Sequence, residues 1–353
     1  MRREAARARV LRVVAAGRRA ADPADPLGRA AREALSATSG LSPQGVALAL
    51  GEHLETHPAP EHLEALLAAA GDAPRCHVVL AANVCTAALR ALAVAVATAP
   101  SVLVRPSRRD PGLAPLLARA LGDDPAFADA GGAVACVEAL APAAGDEVHL
   151  HGSDEAVRAL AASVPAGVIV RAHGTGLGLA VVGAHEVLDG AALAVARDVV
   201  PFDQRGCLSP RAVLVEGDPG RAEAFLEALH VALGALGARV PRGPLDAGAL
   251  AEIALYRASV QAIGELREGD DHLIGLDPEP RALVLPPAAR VVHVVPLSAP
   301  DAAPLLAPWI RYVTCVGGEG DLAAAVRALT ADARSARLGE MQRPPLDGPV
   351  DLR

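Results

Sequence analysis

From Ala5 to about Leu67 apolar residues recur at helical spacing, broken at Asp22-Pro23 and Asp25-Pro26, at Ser39-Gly40-Leu41-Ser42-Pro43 and at Pro58-Ala59-Pro60. The pattern predicts a helical lead-in, residues 1–70. Short apolar runs then alternate with helical ones, as in parallel βα units. Expected strands are His77–Ala81, Ser101–Arg105, Ala133–Val137, Glu147–His151 and Val168–Ala172. The helices between them are Thr86–Ala97, Gly112–Leu121 and Asp154–Ser163. Residues 71–178 thus read as a doubly wound nucleotide-binding sheet. A second α/β domain is expected over residues 179–320. It has a run Leu179–Gly183, a helix Gly190–Val200, a strand Val213–Val215 and a helix Gly220–Gly237, with further strands at Arg281–Leu285, Arg290–Val295 and Ile310–Thr314. Residues 321–353 form a C-terminal helix and a Pro-rich, irregular tail.

Composition narrows the classes. Hydrophobic residues make up 52% of the 353 and the mean hydropathy is +0.31. Charges nevertheless interrupt every apolar run before the ~18 residues that a spanning helix needs, so no transmembrane segment is expected. Aromatic residues at 2% and a net charge of −8 offer neither stacking platforms nor a basic footprint for nucleic acid. The five cysteines, Cys76, Cys85, Cys136, Cys207 and Cys315, lack paired spacing. That argues against a disulfide framework or a structural zinc site and for a reducing, cytoplasmic setting. The Arg- and Ala-rich opening resembles a transit peptide, but Glu4 and the lack of Ser argue against one; it reads as a solvated basic helix.

Candidate chemistry gathers at strand ends. Cys207 lies in the polar turn Phe202-Asp203-Gln204-Arg205-Gly206-Cys207-Leu208-Ser209-Pro210, where the bare Gly206 lets a carbonyl approach. A nucleophile and a buried structural cysteine are both open readings. Asn83 follows the first strand and is suited either to donate to an oxyanion or to form a turn. Arg105, Ser107 and Arg108 follow the second strand, where an acidic residue suits NAD and arginine suits a 2′-phosphate; a solvated basic turn is the alternative, preferred for Arg109. Gly152 and Ser153 open a helix whose N–H groups could face a pyrophosphate, though capping explains them equally well. His173-Gly174-Thr175-Gly176-Leu177-Gly178 is a glycine-rich loop but no dinucleotide fingerprint. Its glycines imply a close approach by cofactor or by the facing domain. His173 is either a proton donor or a structural histidine. No metal site is expected, because no second His or carboxylate stands at ligand spacing near His173 in the sequence.

Together these landmarks resemble the aldehyde dehydrogenase superfamily, and within it the fatty acyl-CoA reductase branch that supplies aldehyde to bacterial luciferase. The resemblance rests on Ala82-Asn83-Val84, Arg90-Ala91-Leu92-Ala93, Val102-Leu103-Val104-Arg105-Pro106-Ser107, His151-Gly152-Ser153, Asp203–Pro210 and the tail Gly339–Asp347, in order and at similar spacing. It implies an aldehyde-dehydrogenase-like α/β fold and a thioacyl-enzyme on Cys207. The oxyanion hole would come from the Asn83 amide and the Cys207 N–H. Arg105, Ser107 and Arg108 would hold the adenosine phosphate end of NADPH, with Gly152 and Ser153 at the pyrophosphate. The implied reaction reduces a long-chain acyl-CoA or acyl-carrier thioester to the fatty aldehyde, with His173 as proton donor. A homo-oligomer and an acyl-transferring partner protein are implied as well.

Two departures bear on this. Where aldehyde-oxidising relatives carry a Glu that activates water, this chain has Ala172-His173, which fits a reductase. The Glu-x-Phe-Gly-Pro loop that anchors the nicotinamide ribose has no match near Val294–Ser298. An aldehyde or acyl-phosphate dehydrogenase of the glutamate-semialdehyde type is the alternative enzyme, and a non-catalytic acyl-binding or scaffold protein the alternative of another class.

Overall fold

Proline begins three of the first four helices. In the computed structural model, which describes residues 2–353, α1 (Arg2–Ala21) is followed by α2 (Pro26–Thr38), α3 (Pro43–Glu52) and α4 (Pro60–Ala69). Each proline sits at a first helical position, where its missing N–H costs nothing. Asp25 and Ser42 cap the free donors of Leu27 and Gly45. The α1 helix is not the solvated helix expected: Ala6, Val10, Val13, Val14 and Ala20 are buried, and so is Arg9, whose Nε donates to Val96 O at 2.8 Å.

The first sheet follows in chain order as β1 (Arg75–Val79), α5 (Ala87–Thr98), β2 (Ser101–Arg105), α6 (Leu113–Gly122), α7 (Pro125–Asp129), β3 (Ala133–Cys136), β4 (Glu147–His151), α8 (Asp154–Ala162) and β5 (Ile169–His173). All five strands are parallel, in the order β3-β2-β1-β4-β5. The order reverses between β1 and β4, so right-handed crossovers put α5 and α8 on opposite faces. Val157 and Leu160 of α8 pack on Val148 and Leu150. These elements, together with α1–α4 and Pro345–Val350, form one compact unit that runs to Thr175.

Gly176–Pro344 and Asp351–Arg353 form the second unit. Its elements are β6 (Leu177–Val182), α9 (Leu188–Val199), β7 (Pro210–Glu216), α10 (Pro219–Arg239), α11 (Ala247–Gln261), β8 (Glu265–Glu268), β9 (Leu273–Leu276), β10 (Val291–Leu297), α12 (Ala302–Leu306), β11 (Val313–Gly317), α13 (Asp321–Leu329) and β12 (Arg334–Ala336). The sheet order is β12-β11-β6-β7-β10-β9-β8, antiparallel only at β8. Two sequence expectations change here. Arg281–Leu285 is not a strand; Leu283 instead joins the core under β6 and β7 while its carbonyl accepts from Trp309 Nε1 at 3.2 Å. Ile310–Tyr312 is a 3-10 turn, and the strand starts at Val313. A short strand, β12, follows α13, and the chain beyond it is irregular as expected.

Candidate active site

Because the five strands of the first sheet are parallel, their C-terminal ends share one edge, and seven of the eight candidate residues lie there. Asn83, exposed, stands between β1 and α5; Arg105 ends β2; Ser107 is half-buried and Arg108 exposed; Gly152 and Ser153 follow β4; His173 ends β5. Ser107 Oγ accepts from Arg109 N at 3.2 Å, which fixes the turn. Ser153 caps α8 by accepting from Ala156 N at 3.3 Å. Asp154 already stands at that helix N-terminus and accepts from Thr175 N at 2.6 Å. Gly152 is different: a Cβ there would meet nothing closer than its own helix at 3.6 Å, so the chain itself does not demand glycine.

Sequence reasoning missed the histidines beside His173. Glu147, His149 and His151 share one face of β4, since side chains alternate along a strand; the polar alternation of Glu147-Val148-His149-Leu150-His151 was the available signal. His149 Nε2 meets Glu147 Oε1 at 2.9 Å, and Arg171 Nε donates to the same oxygen at 3.0 Å. Burial works to raise the Glu147 carboxyl, yet these hydrogen bonds outweigh it and hold it below its usual range. His151 stacks on His173 with ring centroids 4.7 Å apart and 14° between planes. Burial pushes His151 down to about 3, so it is a neutral surface that orients the His173 ring.

Cys207 belongs to the second unit and is half-buried. Its loop is held under backbone strain. Phe202, Asp203 and Gln204 have φ of 56°, 50° and 61°, in the left-handed region, and Ala289 and Arg290 share it at 82° and 62°. Such residues persist only where the surroundings over-determine them. Here the two strained segments interlock. Asp203 Oδ1 accepts from Arg290 Nε at 3.1 Å and Nη2 at 2.7 Å, while Asp203 Oδ2 accepts from Gly243 N at 3.0 Å. Asp203 O accepts from Ala289 N at 3.1 Å. The buried Gln204 amide donates to Pro210 O at 2.8 Å and Val291 O at 2.7 Å, and its oxygen accepts from Val291 N at 2.8 Å.

Beyond the strained turn, Ser209 N donates to Gly206 O at 3.1 Å, and Pro210 opens β7 where no ladder donor is lost. Arg205 Nε donates to Phe202 O at 3.0 Å. Thr314 Oγ1 of β11 donates to Cys207 O. A Cβ on Gly176 would come within 2.5 Å of Thr314 Cγ2 and 3.1 Å of Cys207 Cβ, and one on Gly178 would overlap Leu208 O. Gly176 is bare because Thr314 and Cys207 lie against it and Gly178 because the Leu208 carbonyl does, so a cofactor is not needed to explain either. The neighbouring Cys315 is buried and its thiol is pushed up to about 12 by burial and by the charges of Asp198 and Cys207. Among the described residues no group of three or more His, Cys, Asp or Glu could hold a metal ion. No helix there is long and apolar enough to cross a membrane.

Residues 67–351 match the family acyl-CoA reductase (LuxC). The chain belongs to this family. All eight candidate residues fall inside the matched span, whereas α1–α3 precede it. Acyl-CoA reductases are oxidoreductases, and the fold agrees with that membership. An NAD-dependent benzaldehyde dehydrogenase from Corynebacterium glutamicum superposes with a TM-score of 0.69 at 17% identity, covering 95% of this chain and 80% of that one. A putative aldehyde dehydrogenase from Burkholderia cenocepacia gives 0.71 at 15%, covering 96% and 77%. A putative methylmalonate-semialdehyde dehydrogenase from Sinorhizobium meliloti, complexed with NAD, gives 0.69 at 15%, covering 98% and 78%. No curated protein matches the sequence. The acyl-CoA reductase chain therefore has the aldehyde dehydrogenase fold, as its motif order implied.

Proposed function

We propose that this acyl-CoA reductase converts a long-chain acyl thioester to the aldehyde through a thioacyl-enzyme on Cys207. The observation that carries this is the Cys207 loop itself: a half-buried thiol on a turn whose strained approach is fixed by buried side chains before any ligand arrives. In the proposed sequence the Cys207 sulfur adds to the thioester carbonyl, the Asn83 amide and the Cys207 N–H stabilise the oxyanion, and the donor thiol leaves. Reduction of the new thioester gives a thiohemiacetal; its collapse releases aldehyde, and His173, oriented by His151, returns a proton to the sulfur.

The rim residues fit a nicotinamide dinucleotide. They lie at or just beyond the ends of β2 and β4, on either side of β1 at the point where strand order reverses, and Gly152 is bare without any demand from the chain. Arg105, Ser107 and Arg108 would hold the adenosine end and favour NADPH, and Gly152 with Ser153 would face the pyrophosphate. When bound, the cofactor supplies hydride. The donor is coenzyme A or an acyl carrier, with an acyl-transferring partner protein serving a cytoplasmic homo-oligomer. Ala172 and His173 supply no carboxylate to activate water, which favours reduction over the hydrolytic step of an aldehyde-oxidising enzyme.

Intact-protein mass spectrometry after incubation with an acyl-CoA series tests the reading. A single acyl adduct should form on the wild type, disappear with NADPH as aldehyde is released, and be missing from Cys207→Ala. An adduct that persists in Cys207→Ala moves the chemistry to another residue. An adduct that forms but is not reduced supports an acyl-binding protein instead.

A further inference from the structure

Asp198 is the one fully buried carboxylate of α9, and nothing in the proposed chemistry uses it. It is 0% exposed. Its partners are backbone donors: Gly339 N at 2.6 Å, Met341 N at 2.8 Å and the N–H of Gln342. A carboxylate buried among neutral donors is costly to keep, and burial pushes this one up to about 7 even though the three donors oppose the shift. What those bonds accomplish lies one residue away. Met341, 1% exposed, fills the space where a Cβ of Gly317 would stand, and its Cε is 2.9 Å from the Cβ position of Gly178. That same Gly178 position is overlapped by the carbonyl oxygen of Leu208, the residue after Cys207. The Met341 methyl and the cysteine loop therefore press on one bare glycine.

We propose that Asp198 is a positioning residue for Cys207: by gathering the backbone N–H groups of Gly339, Met341 and Gln342 it seats Met341 against Gly178 and Gly317 and so props the loop that carries the thiol. Asp198→Asn replaces one acceptor oxygen with a donor that faces N–H groups, and the segment should lift. The catalytic consequence rests on Cys207 being the acylated residue, but the loop order does not.

Hydrogen exchange and single-turnover acylation test it together on the full chain. In Asp198→Asn and in Met341→Ala, exchange should accelerate at least tenfold both in 337–343 and in 202–210. The saturating rate of acyl transfer to Cys207 should fall at least tenfold with little change in the half-saturating acyl-CoA concentration. Met341→Leu, which refills the volume, should restore both. Faster exchange confined to 337–343, or acylation at the wild-type rate in folded Asp198→Asn, would overturn the proposal by reducing Asp198 to a tail anchor. If Asp198→Asn does not fold, the Met341→Ala and Met341→Leu pair decides by the same two readouts. If the wild type itself takes no acyl group, the reading of Cys207 fails, and exchange in 202–210 still decides whether the prop exists.

Discussion

Phe202, Asp203 and Gln204 each carry a left-handed backbone that costs an ordinary residue about 1–2 kcal/mol, and buried hydrogen bonds to Arg290, Gly243 and Val291 offset it. The polar, Gly-preceded turn around Cys207 was legible in the sequence; its geometry was not, because left-handed positions are normally marked by Gly, less often by Asn or Asp, and Phe202 and Gln204 are none of these. Under the proposed function, Arg108 is the residue on which the choice of cofactor turns. It is exposed in the turn after β2, where a 2′-phosphate would find a positive partner and an acid would repel it. Arg108→Glu should lower the kcat/KM preference for NADPH over NADH by tenfold or more, equivalent to about 1.4 kcal/mol. A ratio equal to that of the wild type removes Arg108 from the cofactor site.

Among elements, the β strands of the first sheet were readable as short apolar runs, and their polar end residues follow from strand direction alone. Arg281–Leu285 misled for a physical reason. Its apolar run is framed by Pro278, Pro280, Pro286 and Pro287, which remove ladder donors, so it packs by side chain without pairing. The β8 strand escaped notice because Glu265-Leu266-Arg267-Glu268 is charged, as befits an edge. Two strand histidines set an acid limit on the fold. His151 on β4 is pushed down to about 3 and His293 on β10 to about 4, each by burial first, against about 6.5 in an unfolded chain. Both are neutral in the folded protein, so the stability they contribute is complete above pH 6.5. It declines as pH falls from there toward 4, where the unfolded state binds protons that the fold does not. Urea midpoints taken at pH 7.5 and 4.5 should show this loss, and His151→Phe, which keeps a stacked ring without the titration, should lose less. Equal losses would mean that His151 is charged in the fold.

For the whole molecule, the order of motifs carried more than any single one: Asn83, Arg105, Gly152 and Cys207 follow one another as the resemblance implied, and the family match and the fold agree with that resemblance. Periodicity could not foresee the course of the tail. Pro345–Val350 belongs with the first unit because the buried Arg90 donates to Pro345 O and Gly348 O, each at 2.7 Å, and backbone acceptors leave no trace in composition. Nor did Ala-rich α1 look buried, for alanine gives little hydropathic contrast between faces. The same poverty in aromatics leaves one tryptophan in 353 residues, Trp309, tied to Leu283 within the second unit. Indole emission therefore watches that unit alone, while far-UV ellipticity sums both, and a melt followed in the two channels tells, without any added dye, whether the units unfold together.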